Sequence, residues 1–126
     1  VSSGASDPIF PVGFDDEAFT EDAEGGSAEA GKAFIELRRE IIKQGGLPKS
    51  RLKACDAEGR DGTNLAGCVK TYVPWPNGRF GMVFVPVAHP NRPLALRAIA
   101  FGARHHPRGS HAESVYEVAH RRLHSP

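Results

Sequence analysis

The chain is poor in cysteine, the residue that staples small proteins or holds their structural zinc. Its only cysteines, Cys55 and Cys68, lack the paired CxxC spacing of a zinc ribbon. They read as two reduced, partly buried thiols, with a disulfide or a zinc site shared with His105, His106 or His111 as the alternatives. No apolar run approaches the roughly 20 residues that a membrane span needs. No basic stretch followed by an apolar one opens the chain, so the reading expects no secretory signal, no membrane partner and a cytoplasmic location. Internal repeats are lacking, and 126 residues leave room for one domain with a modest core. Apolar residues make up 40% and charged residues 25%, which excludes a wholly disordered chain.

The most informative lack is of positive charge at the start. Residues 1 to 31 carry Asp7, Asp15, Asp16, Glu17, Glu21, Asp22, Glu24 and Glu29 but no Lys or Arg. All 16 Lys and Arg lie from Lys32 onward, so a net charge of +1 conceals an acidic start and a basic body. That asymmetry suits a polyanion, RNA foremost, with residues 1–26 as an acidic extension that either folds over the basic surface or only aids solubility.

Ile9–Phe14, interrupted by Pro11 and Gly13, reads as a short edge strand. Ser27 to Gln44 reads as a helix. Ser27 is its N-cap, Ala30, Ala33, Phe34, Leu37, Ile41 and Ile42 recur at helical spacing, and Gly45–Gly46 stops it. Pro48 and Ser50 start a second, short helix through Leu52 to Ala57. Three strands follow, Gly67–Pro74, Arg79–Val87 and Leu94–Phe101, joined by turns at Pro76–Gly78 and His89–Pro93. A basic loop and a terminal helix from Ser110 to Leu123 complete the chain. The expected fold is α+β: N-terminal helices on one face of a mainly antiparallel sheet of three to four strands, closed by a short C-terminal helix.

Neighbouring antiparallel strands can gather Lys70, Arg79 and Arg104 on one sheet face. Such cations neutralise phosphates and stabilise the charge that builds on phosphorus when a ribose hydroxyl attacks it. His105, His106 and His111 in or beside the basic loop are candidates for proton transfer, or are solvated loop residues. Tyr116 is a candidate for base stacking or phosphate contact, or a core residue with an exposed hydroxyl. Lys49, Arg51, Lys53 and Arg108 extend the basic surface, whereas His89 reads as a turn residue and His120 and His124 as surface residues. Trp75 reads as a hairpin cap, or as an aromatic that stacks on a base. The chemistry requires neither metal nor cofactor.

The pieces NGRFGMVFVPV, LALRAIAFGARHH and SVYEVAHRRL, over roughly residues 65 to 123, resemble the RelE/ParE toxin superfamily. The resemblance implies a toxin domain over 27–126, with helices packed on a twisted antiparallel sheet. Its RelE branch implies a metal-independent endoribonuclease cutting mRNA on the ribosome, neutralised by a cognate antitoxin. Arg79, Arg104 and Tyr116 then match the family's catalytic positions, Lys70 matches a basic position on the preceding strand, and His105, His106 or His111, with His106 favoured, supplies an acid or base. The ParE branch implies a gyrase inhibitor without nuclease activity, and the residues alone also fit a plain nucleic-acid-binding module. The long acidic start and the loop from Pro107 to His111 depart from the family pattern.

Overall fold

A computed structural model describes residues 9–13, 28–55, 64–73, 79–90, 92–104 and 114–124. The elements are β1 (Ile9–Phe10), β2 (Val12–Gly13), α1 (Ala28–Gln44), β3 (Leu47–Pro48), β4 (Lys53–Ala54), β5 (Val69–Val73), β6 (Phe80–His89), β7 (Arg92–Ala103) and α2 (Val115–His124). Five strands form the main sheet in the order β2-β7-β6-β5-β4, while β1 and β3 form a separate antiparallel pair. Only β2 runs parallel to its neighbour, β7.

The architecture is α+β with a mainly antiparallel sheet, but its layout differs from the expected one in three ways. The sheet has five strands, not three or four. Among the described residues a single N-terminal helix precedes it, because the stretch expected to be a second helix is a one-turn 3-10 segment, Lys49–Arg51, followed by β4. Pairing outweighs helical propensity here: Lys53 and Ala54 sit opposite Lys70 and Val69. Finally, α1 and α2 lie on opposite faces.

That last difference follows from β6. Its alternate residues are apolar on both faces, and both faces need a cover. Phe80, Met82 and Phe84 pack with Ala30, Ala33, Leu37 and Ile41 of α1. Gly81, Val83 and Val85 take the other side, where Val83 and Val85 cluster with Val115 and Ala119 of α2. On the α1 side Phe101 joins the core through an edge-on contact with Phe34 at 5.2 Å and a stacked one with Phe80 at 6.2 Å.

The β6–β7 ladder slips between Val83 and Phe84, whose partners are Ala100 and Ala98, so Ile99 is an extra residue on β7. Arg122 of α2 donates to the Ile99 carbonyl at 2.8 Å, which binds the terminal helix to this bulge. Strands β6 and β7 run to His89 and from Arg92, which pair, so the connection is tighter than the turn expected over His89–Pro93. The expected turn at Pro76–Gly78 and the N-cap Ser27 lie outside the described residues.

Helix α1 ends where its sequence indicates. Gly45 has φ 76° and the Gly46 N–H donates to the Ile41 carbonyl at 2.9 Å, a Schellman closure. Beyond it, Arg51 ties α1 to the sheet. Its Nε and Nη2 donate to the two Glu40 carboxylate oxygens at 2.8 and 2.9 Å, and its Nη1 donates to the Tyr72 carbonyl at 3.0 Å. Arg51→Ala removes all three and leaves a half-buried carboxylate, so we expect a loss of about 2 kcal/mol in urea unfolding. Arg51→Lys keeps the charge but not the fork, and is expected to recover less than half of it.

Candidate functional site

Alternation along β5 sends Val69, Thr71 and Val73 toward α1 and puts Lys70 and Tyr72 on the α2 side. Lys53 of β4 stands directly opposite Lys70. Across the sheet, Tyr72, Gly81 and Gly102 form one cross-strand row. The two glycines leave that row low. A methyl group at Gly81 would lie 3.3 Å from Arg104 Cγ and 3.7 Å from its Cδ, so the Arg104 side chain crosses the sheet over Gly81. A methyl group at Gly102 would meet Val115 Cβ at 3.9 Å, so the start of α2 settles there.

These placements converge on two tyrosines. Arg104 lies over the Tyr72 ring with Cζ 3.7 Å from the centroid. Lys53 Nζ is 4.8 Å and Lys70 Nζ 5.6 Å from the same centroid. Lys70 Nζ is also 5.0 Å from the Tyr116 ring. Lys70 and Arg104 both set their positive charge beside the Tyr72 and Tyr116 phenols. Tyr116 is aimed by the first turn of α2, which a capping box fixes: the Ser114 N–H donates to Glu117 Oε1 at 3.0 Å and the Glu117 N–H to Ser114 Oγ at 3.3 Å.

Three cations around one ring repel one another. The ring face and the two phenol oxygens offset part of that repulsion, and an anion would offset the rest. Burial pulls the Lys70 ammonium down, but the neighbouring Tyr116 and Tyr72 phenols outweigh it and hold Lys70 above its ordinary range. Burial pushes the Tyr72 phenol up, yet Lys70, then Arg104 and Lys53, bring it below the ordinary value. Burial also raises Tyr116 and there prevails over the Arg104 and Lys70 cations. The stability that Lys70 gains from these partners is complete below its unfolded-state pKa and is lost as pH rises through its higher folded value.

The chain has only two tyrosines, so this ordering is directly readable. Phenolate absorbance near 295 nm should rise in two steps, one below and one above the ordinary pKa of about 10. Tyr72→Phe should abolish the lower step and Tyr116→Phe the upper one. A single coincident step in the parent would contradict the arrangement.

Of the residues singled out from sequence, Lys53, Lys70, Arg104 and Tyr116 come together. The Arg104 N–H donates to the Arg79 carbonyl at 2.8 Å, so Arg79 stands opposite Arg104 at the same end of the sheet, with its residue exposed. Arg51 is committed to Glu40 and the β5 backbone instead. Lys49 lies with Lys53 at an apolar recess of about 210 Å³ that reaches Phe10, Leu52 and Leu96. His105, His106, Arg108, His111 and Trp75 lie outside the described residues, as does the acidic segment 14–27.

Tyr72, the centre of the cluster, was not singled out. Its signal was available in VKTYV, where a tyrosine two residues after a lysine shares that lysine's face. His120 and His124, read as surface residues, clasp the backbone of Asn64. The Asn64 N–H donates to His120 Nδ1 at 2.8 Å and His124 Nε2 meets the Asn64 carbonyl at 3.0 Å. Among the described residues no group of three or more His, Cys, Asp or Glu is placed to hold a metal ion, and no helix is long and apolar enough to cross a membrane. No family model matches the chain, and neither does a curated protein or a solved structure.

Proposed function

We propose that the chain is a RelE-like toxin, an endoribonuclease that cleaves mRNA at the ribosome and is held off by a cognate antitoxin. The observation that supports this reading is the convergence of Lys70, Arg104 and Tyr116 with Lys53 and Tyr72 on one sheet face. Side chains scattered over opposite faces would have left no shared place for a phosphodiester.

In this reading the phosphate lies against Arg104 and Lys70, with Lys53 and Arg79 neutralising its neighbours along the strand. The ribose 2′-hydroxyl gives up its proton and attacks phosphorus. The bond to the 5′-oxygen breaks, that oxygen takes up a proton, and a cyclic phosphate and a 5′-hydroxyl remain. Arg104 and Lys70 meet the charge that develops on the phosphoryl oxygens. Tyr116 holds a phosphate oxygen or stacks on the adjoining base. The role of proton donor or acceptor falls to His106, on the strength of the family resemblance. An acidic antitoxin segment laid over the same cations would occlude them.

Inducible expression followed by mapping of mRNA 5′ ends tests the reading. New ends within reading frames, absent when translation is blocked beforehand, are the expected result. Intact mRNA with a DNA-damage response would replace it with gyrase inhibition. Intact mRNA without growth arrest, together with salt-sensitive RNA binding, would leave a plain binding module.

A further inference from the structure

Beside the cation cluster lies a second chemical feature. The β4–β5 pairing sets Lys53 opposite Lys70 and Ala54 opposite Val69, and the Cys55 N–H then donates to the Cys68 carbonyl at 3.0 Å. The two cysteines are therefore the next cross-strand pair. Each lies two residues from a cluster lysine, Cys55 from Lys53 and Cys68 from Lys70, so alternation puts both on the α2 side. Both belong to the apolar cluster under α2, with Leu65, Val83 and Ala100. They are thiols, with no disulfide between them.

Directly opposed Cβ atoms in antiparallel strands lie about 4.5–5.5 Å apart. A disulfide holds them at about 3.5–4.5 Å. The Cys55 N–H bond to the Cys68 carbonyl makes this a hydrogen-bonded pair, at the wide end of the antiparallel range, so closure asks for a shift of about 1–2 Å, and the strand that has to shift is β4, a two-residue strand at the edge of the sheet. The two thiols are also unequal. Cys68 is only 4% exposed, and burial pushes its thiol up. Cys55 is partly exposed and interacts electrostatically with the Lys70 ammonium, the kind of setting in which a thiol reacts first.

We propose that Cys55 and Cys68 form a reversible dithiol–disulfide pair, oxidised by a hydroperoxide, which locks β4 and its Lys53 onto the sheet. Cys55 is the reacting thiol and Cys68 the resolving one. The Cys55 sulfur attacks the hydroperoxide; the S–O bond forms, the O–O bond breaks, and the alcohol, or water from hydrogen peroxide, leaves. The Cys68 sulfur then attacks the Cys55 sulfur of the sulfenic acid. The S–S bond forms, the S–O bond breaks, and the hydroxide leaves with the Cys68 proton as water. Two thiols are oxidised and one hydroperoxide is reduced. A dithiol reductant reverses the product by exchange. The inference does not depend on the ribonuclease reading.

The test uses the full chain, treated with one equivalent of hydrogen peroxide and then alkylated. The expected product is a monomer that has lost two hydrogens, resists alkylation at both cysteines and yields a peptide joining Cys55 to Cys68. Its melting temperature should rise by about 5 °C or more, through constraint of the unfolded chain. Amide exchange at Lys53 and Ala54 should slow in the oxidised form. Cys68→Ser should trap a dimedone-reactive sulfenic acid at Cys55. If the buried serine impairs folding, Cys68→Ala gives the same readout in an apolar site. Two alkylatable thiols, a cross-linked dimer, or over-oxidised Cys55 without a cross-link in the parent chain would each overturn the proposal. So would a disulfide that leaves β4 exchange unchanged. RNA cleavage enters none of these readouts, so a failed nuclease assay would leave the result standing.

Discussion

Under the proposed ribonuclease function, Arg104→Ala is expected to lower RNA cleavage at least about 100-fold, the scale on which loss of one preorganised cation weakens a charged transition state. Arg104 carries this effect because its position is fixed from three sides. Its backbone pairs with Arg79, its stem crosses the sheet over Gly81, and its guanidinium covers Tyr72. Arg104→Lys keeps the charge but loses the planar fork that rests on the ring, and should recover only a small part of the activity. A structural role alone is separable by titration. Removing Arg104 takes away a positive charge that favours both phenolates, so both tyrosine steps should move to higher pH. Cleavage at the parent rate by a folded Arg104→Ala variant, with both steps shifted, would refute the catalytic assignment while leaving the geometry intact. Gly81→Val presses both on the Arg104 stem and on the Thr71 carbonyl of β5, 3.2 Å from an added methyl group, and a folded variant should impair cleavage without altering any charge.

The largest effect on stability is expected at Gly46. Its φ of 147° lies in a region that L side chains rarely adopt. An added methyl group would run into the Phe10 carbonyl, with the carbonyl carbon at 2.7 Å and Ile9 Cγ2 at 3.1 Å. These are mainly backbone atoms of β1, which is paired to β3 through Phe10–Leu47 and has nowhere to retreat. Backbone strain and overpacking together place Gly46→Ala at about 2–4 kcal/mol of destabilisation. That is a large share of the roughly 5–15 kcal/mol typical of a whole domain. In urea the midpoint should fall with the slope unchanged. Gly45→Ala also meets a positive φ but no neighbour within 4 Å, and should cost about 1 kcal/mol. Equal losses at the two positions would mean that β1 is not packed against the end of α1.

The parts of the fold legible in the sequence are those that depend on local pattern. Helix α1 was marked by apolar residues at helical spacing and a glycine pair, β6 by alternation after a turn signal, β5 by its strand-forming residues, and β7 only by its shortness between two turns, since its apolar run also fits a helix. The parts that were not legible depend on distant partners. Lys53–Ala54 is a strand only because β5 lies beside it. Arg51 looks like a surface cation until Glu40 and Tyr72 are brought to it. His120 and His124 have no visible task until Asn64 is near. The placement of α2 opposite α1 could have been read from β6, whose two faces are both apolar, but was not. Within the candidate site the cations were legible as residue types. Their common centre, Tyr72, was hidden by a strand that reads as ordinary amphipathic sequence.

Strand β2 lies parallel to β7 at Leu96 and Arg97, and the Leu96 N–H donates to the Pro11 carbonyl at 2.7 Å. Strand β2 thus completes its pairing only with a strand that is made long after it. During synthesis the outer flank of β7 stays bare until this early piece returns to it. A bare flank on a twelve-residue strand is a template for the same strand in a neighbouring nascent chain. Crowded translation, with many copies emerging side by side, is therefore the circumstance in which this fold is most exposed to misassembly.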